Sequence, residues 1–229
     1  MSTQPIRLVL FDLDGTLVDT APDLAAIVNR QRQARGLAPL PLEELRPLAS
    51  HGARGLIGRA LGVAPPSEEY EALKNQFYAW YDDALCVHTQ LFPGMPATLE
   101  LLEQRGIRWG IVTNKIRRFT DPLVRTLGLH KRAACVVSGD TTPQAKPHPE
   151  PLRYAMQACN VGESAAIYVG DDQRDIEAGR AAGVRTVVAT YGYLGHGADT
   201  NTWNADHAID KPQDLVPWID SFEASPGPG

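Results

Sequence analysis

The chain has 229 residues, a net charge of −5 and 43% hydrophobic residues. That is enough apolar material for one core domain plus a smaller accessory domain, and it excludes a disordered chain. No basic stripe invites a nucleic acid, and no apolar stretch nears the roughly 20 residues that span a bilayer, so neither partner is expected.

Taken in chain order, Met1 to Arg7 carry no signal-peptide core. The first element is the apolar run Leu8-Val9-Leu10-Phe11, a short buried strand that breaks into a loop at Gly15. From Thr20 to about Gln90 no strand is evident. Helices are predicted near Ala21–Arg35, Leu42–Leu48, Ala53–Leu61 and Ser67–Ala84, punctuated by Gly36, Pro39, Pro41, Gly62, Pro65 and Pro66. Beyond Pro93-Gly94 an alternation sets in. Strands are expected at Trp109–Thr113, Ala134–Ser138, Ala165–Val169 and Arg185–Ala189, and helices at Ala97–Arg105, Thr120–Leu127, Glu150–Cys159 and Asp172–Ala182. Short strands apolar throughout, separated by helices, imply a parallel sheet covered on both faces. The expected class is therefore α/β, a Rossmann-like parallel sheet core with an inserted all-helical cap. The core would comprise residues 1–19 and 91–224, the cap 20–90, and the Pro/Gly-rich tail 225–229 would be disordered.

Ligands of such folds bind beyond the carboxyl ends of the strands, and polar groups follow four of these ends. Asp12 and Asp14 stand two positions apart after the first strand, so they could face one small volume. Carboxylates that close repel unless a cation intervenes or one keeps its proton, which points to a metal site or to a nucleophile beside an acid. Thr113 and Asn114 could receive an anionic oxygen or cap the next helix. Lys146, in Lys146-Pro147-His148-Pro149, could present a fixed positive charge. Asp171 and Asp175, one helical turn apart, could share a metal, whereas Asp172 suits a helix cap. Hard oxygen ligands with one strong cation suit Mg²⁺ and phosphoryl transfer.

These four motifs, in this order and with this insertion, resemble the haloacid dehalogenase-like hydrolases, and more narrowly the phosphoglycolate phosphatase-like members, from Leu8 to about Asp214. The resemblance implies that Asp12 is the nucleophile and forms an aspartyl-phosphate, and that Asp14 is the general acid and then the base. It implies that Thr113 and the backbone at Asn114 hold phosphoryl oxygens, and that Lys146 neutralises charge. Mg²⁺ would be held by Asp12, the backbone carbonyl of Asp14, and Asp171, with Asp175 a ligand or a support beside them. Relatives also place a specificity loop at Ser50-His51-Gly52-Ala53-Arg54-Gly55, so His51, Gly52 and Arg54 become candidate substrate contacts.

The implied substrate is a small phosphorylated metabolite, by family default 2-phosphoglycolate. The rival is N-acetylmuramic acid 6-phosphate, on the likeness of His88-Thr89-Gln90-Leu91-Phe92, Trp109–Lys115 and Arg118-Phe119 to that branch. A phosphosugar mutase and a non-catalytic metabolite-binding regulator are the remaining alternatives. Phe77, Tyr78, Trp80 and Tyr81 are read as cap-helix packing. Cys86, Cys135 and Cys159 suit free thiols in a reducing compartment, so the expected address is the cytoplasm. A monomer is expected, with a homodimer as the alternative.

Overall fold

A computed structural model of the chain describes residues 4–223, so the tail read at 225–229 lies outside the described residues. Strand β1 (Leu8–Phe11) is followed by a tight turn and the two-residue strand β2 (Val18–Asp19). Four helices come next: α1 (Ala21–Gln33), α2 (Leu42–Leu45), α3 (Gly52–Leu61) and α4 (Glu68–Asp83). Strand β3 (Gln90–Leu91) then runs antiparallel to β2. The rest alternates: α5 (Met95–Gln104), β4 (Arg108–Val112), α6 (Arg117–Thr126), β5 (Val136–Val137), α7 (Glu150–Ala158), β6 (Ala166–Gly170), α8 (Gln173–Ala182), β7 (Arg185–Ala189), β8 (His207–Ile209) and α9 (Leu215–Glu223).

Six strands form one parallel sheet in the order β5-β4-β1-β6-β7-β8. The period of two along a strand sorts its side chains between two cores. Val9 and Phe11 of β1 enter the larger one, beside Leu99 of α5, Leu123 of α6 and Leu215 of α9. Leu8 and Leu10 enter the other, beside Leu152 of α7 and Ala178 of α8. Both faces are dry, which is why these strands read as unbroken apolar runs rather than as alternations.

Several local features depart from the expected elements, among them β5, which spans Val136–Val137 where Ala134–Ser138 is expected. Helix α2 stops at Leu45 and passes into a 3₁₀ segment over Arg46–His51. Pro47 has no N–H to close the next α-helical bond, so the expected helix to Leu48 cannot continue. Strand β8 and helix α9 were not anticipated; β8 has three residues, and His207 at its start stacks on Trp218 of α9 with ring centroids 4.9 Å apart. The pair β2–β3 is too short for any periodicity to reveal.

That pair joins the two chain segments leading into and out of α1–α4, and a buried carboxylate pins it. Asp23, 2% exposed in α1, accepts hydrogen bonds from the backbone N–H groups of Val87 (3.0 Å), His88 (2.8 Å) and Thr89 (3.0 Å) and from Thr89 Oγ1 (2.7 Å). Bonds to an ionised acceptor are the stronger kind, and removing it leaves buried donors unpaired. Asp23→Ala should therefore lower the unfolding free energy by about 3 kcal/mol, measured by denaturant titration. A change within about 0.5 kcal/mol, the range of an ordinary surface substitution, would contradict this anchoring role.

Candidate active site

The strand order places β4, β1 and β6 side by side, so the residues that follow them, Thr113, Asp12 and Asp171, are neighbours at one edge of the sheet. Backbone bonds fix two of them, Asp12 N–H to Val169 O and Thr113 N–H to Val137 O, both 2.9 Å. The turn after β1 must pass close to Asp171. Gly15 has φ +87°, and a Cβ there would lie 2.3 Å from Asp171 Oδ2. Only glycine satisfies both the left-handed backbone and the close approach.

Lys146 is the hub. Its backbone is clamped by Asn114, which accepts from Lys146 N–H through Oδ1 and donates to Lys146 O through Nδ2, both at 2.9 Å. The clamp aims a buried ammonium at Asp12 Oδ1 (2.9 Å), Asp175 Oδ1 (2.7 Å), Val112 O (3.0 Å) and the Tyr168 hydroxyl (2.7 Å). Burial alone would depress the Lys146 pKa, but the two carboxylates outweigh it and the pKa is raised. Asn114, read as a phosphoryl contact through its backbone, thus has a second task through its side chain.

One lysine does not neutralise the acids around it. Ligand oxygens of Asp12, Asp171 and Asp175 lie within 4.8 Å of one another, and all three residues are buried. Burial raises the Asp12 pKa from 3.8 to about 7; Lys146 opposes this, while Asp175 and Asp14 reinforce it. Burial, then Asp12 and Asp175, hold Asp171 well above the carboxylate range despite bonds from Thr16 Oγ1 (2.8 Å) and Tyr193 N–H (2.9 Å). Clustered hard oxygens with an excess of negative charge fit a divalent cation. The Asp14 carboxylate is not part of this cluster. Its Oδ1 accepts from Lys115 Nζ (3.0 Å) and from Thr20 Oγ1, so any metal role of Asp14 belongs to its backbone carbonyl. Asp172 caps α8, accepting from Arg174 N–H at 2.9 Å.

Above these groups lies a cavity of about 270 Å³ lined by Asp12, Asp14, Thr113, Asn114, Lys146 and Asp175 below and by residues of α1–α4 above. His51, Gly52 and Arg54 line it too. His51 Nε2 stands 3.7 Å from Asp172 Oδ2, and its pKa is lowered by burial and by Arg174. The aromatic residues need a correction. Phe77, Tyr78 and Tyr81 do pack together, but with Phe119 they also form a wall of the cavity. Trp80 stays outside it, beneath the Arg30 guanidinium at 4.1 Å.

Sequence reasoning also missed several members of the site. Ser50 Oγ donates to Asp171 Oδ2 (3.1 Å), and Arg174 links Asp172 to the Ser50 carbonyl (3.0 Å), which ties the loop before α3 to the sheet edge. Arg174, lying between Asp172 and Asp175, was visible as a cation amid acids. Lys115, in the same strand end as Thr113, was equally visible. Ser50 opens the specificity loop read from the sequence, but nothing local signals its bond to Asp171.

A parallel α/β sheet with carboxylates at its strand ends, a buried lysine and an acid cluster able to hold a cation suits phosphoryl handling. The family model for haloacid dehalogenase-like hydrolases matches residues 9–189, and the chain belongs to that family. It is a phosphoric monoester hydrolase. It is 41% identical to an N-acetylmuramic acid 6-phosphate phosphatase of Pseudomonas putida over 94% of this chain and 97% of that one. It is 42% identical to a phosphoglycolate phosphatase of Xanthomonas campestris over 91% of this chain and 94% of that one. A crystal structure from Haemophilus somnus 129pt, of a predicted phosphoglycolate phosphatase, superposes with a TM-score of 0.81 at 30% identity, covering 93% of this chain and 97% of that one.

The raised carboxylates make stability depend on pH and on metal. Between the ordinary carboxylate range and about pH 7, the folded metal-free protein binds protons that the unfolded chain does not. This contribution is complete below pH ~4 and is lost as pH rises through ~7. A divalent cation bound by these carboxylates would replace those protons. The rise in Tm on adding Mg²⁺ should be larger at pH 8 than at pH 5, read by thermal unfolding; an equal or larger rise at pH 5 would contradict the charge balance described.

Proposed function

We propose that the chain is a Mg²⁺-dependent phosphatase of a small phosphorylated metabolite, working through an aspartyl-phosphate on Asp12. The observation that carries this reading is the buried Lys146 ammonium held between Asp12 and Asp175 beside the acid cluster. A carboxylate attacking a phosphate dianion meets like-charge repulsion, and a fixed cation at 2.9 Å from the attacking group offsets it without reorganisation.

In this reading Asp12 attacks phosphorus in line and displaces the alcohol. Asp14 protonates the leaving oxygen, then takes a proton from the water that cleaves the intermediate. Thr113 and the backbone N–H at Asn114 hold phosphoryl oxygens, and Lys146 neutralises nucleophile and phosphoryl group in turn. Asp12, the Asp14 carbonyl and Asp171 hold Mg²⁺, with Asp175 steadying Lys146. The metal, when bound, supplies charge neutralisation on the transferring group. Helices α1–α4 act as a cap whose closure excludes water, with β2 and β3 as its hinge and His51, Gly52 and Arg54 at its substrate face.

The first substrate we assign is 2-phosphoglycolate, as acted on by the relative from Xanthomonas campestris. A second reading, N-acetylmuramic acid 6-phosphate, is favoured by the wall of Phe77, Tyr78, Tyr81 and Phe119, whose rings suit packing against a sugar. Phosphate release from the two esters, measured side by side with Mg²⁺, decides between them by kcat/KM. A mutase would instead require a bisphosphate and release no net phosphate.

Asp12→Asn should remove turnover by several orders of magnitude while the far-UV spectrum and cooperative unfolding persist; a variant within tenfold of wild type would overturn the nucleophile. Chelation should stop phosphate release and Mg²⁺ should restore it. Undiminished activity in the chelator would overturn the metal requirement.

A further inference from the structure

Tyr81 and Lys115 meet in the cavity from opposite parts of the fold. Tyr81 lies on α4, is 1% exposed, and is held by its ring against Phe77 (6.3 Å) and Phe119 (5.1 Å between centroids). Its hydroxyl is buried and closes no hydrogen bond of regular geometry among the described residues, although the Lys115 ammonium lies close enough to act on it. A buried hydroxyl whose nearest polar neighbour is an ammonium, itself only a donor, keeps its own proton unspent, and such a group calls for a specific explanation. Burial also raises its pKa, so it meets any ligand as a neutral donor.

Lys115 lies in the loop after β4, with its main chain locked. Its N–H donates to Thr113 Oγ1 (3.1 Å), and its carbonyl accepts from Thr120 Oγ1 (3.0 Å) and from Gly139 N–H (2.9 Å). The side chain is 7% exposed and ends 3.0 Å from Asp14 Oδ1 and 4.8 Å from the centroid of the Tyr81 ring. Asp14 engages one of the three donors an ammonium carries. Both residues line the cavity that contains Asp12 and Asp14.

We propose that the Tyr81 hydroxyl and the Lys115 ammonium form a specificity subsite for a carboxylate carried on the same small molecule as the phosphate. A neutral donor and a cation in a desolvated volume suit an anionic oxygen, because charge-assisted bonds are strongest there. Lys115, 3.0 Å from Asp14 Oδ1, offsets the charge that Asp14 would otherwise set against that carboxylate. A phosphomonoester without the carboxylate leaves the hydroxyl unpaired, and a site built to bond a group rejects the analogue lacking it. Tyr81 is supplied by α4 and Lys115 by the sheet edge, so the subsite exists only when these two parts are together. This proposal rests on the phosphatase reading and deepens it by assigning the residues that select the substrate.

The test compares matched esters. Ethyl phosphate replaces the carboxylate of 2-phosphoglycolate with a methyl group, and N-acetylglucosamine 6-phosphate lacks the carboxylate-bearing ether of N-acetylmuramic acid 6-phosphate. Wild type should prefer the carboxylate-bearing member of the pair it turns over faster. Tyr81→Phe should cut that preference in kcat/KM by about ten- to hundredfold without lowering Tm, and Lys115→Met, which keeps the apolar stem on the ring, should cut it at least as far. A wild type without preference, a Tyr81→Phe variant that retains it, or a lower Tm showing the hydroxyl already bonded in the free protein, would each overturn the proposal. Asp12→Asn, run on the same esters, tests the phosphatase reading separately, because it should abolish turnover of both members whatever the preference.

Discussion

The ion pairs of Lys146 are the constraint on which the rest of the site depends. Burying three carboxylates within 4.8 Å of one another opposes folding unless positive charge accompanies them. Lys146 answers two of the three directly, at 2.9 Å to Asp12 and 2.7 Å to Asp175, and Asn114 and Tyr168 hold it there. Burial first, and then the uncompensated neighbouring carboxylates, raise Asp12 and Asp171, and a divalent cation would neutralise that excess. The same cluster of buried hard oxygens with excess negative charge suits a divalent cation.

The parallel sheet makes that arrangement possible. Adjacent strands β4, β1 and β6 end at the same level, and the turns that follow need only small residues to bring their acids together. Gly15 lets the first turn lie against Asp171, and a Cβ at Gly170 would clash with Asp175 at 2.4 Å. Over this edge the helices α1–α4 bring their own contacts: Ser50 on Asp171, Tyr81 beside Lys115 and the aromatic wall. Sheet edge and helices both line the cavity, and Lys115 and Tyr81 meet there from the two sides.

Much of this was legible in the sequence wherever local pattern carries the information. The apolar runs of β1, β4, β6 and β7 announce strands buried on both faces, and Arg185–Ala189 was placed to the residue. Asp12 and Asp171 could be picked out because charged residues directly after apolar runs are conspicuous, Asp175 because it lies one helical turn further on, and Lys146 because of the prolines beside it. What remained hidden depends on partners far apart in the chain. Asp23 reads as an ordinary first-turn acid of α1, yet its partners lie 64 to 66 positions away. Strands β2 and β3 have two residues each, too few to show a period. Tyr81 has the spacing of a packing residue and does pack; only its hydroxyl, which closes no regular hydrogen bond, distinguishes it.

The central claim is that Asp12 takes up the phosphoryl group. Rapid acid quench during turnover with Mg²⁺, followed by peptide mass mapping, tests it most directly. The account predicts a gain of one phosphoryl mass on the peptide containing Asp12, sensitive to hydroxylamine and absent in Asp12→Asn. A phosphoryl group on another residue, or turnover with none trapped under conditions that preserve acyl phosphates, would contradict it.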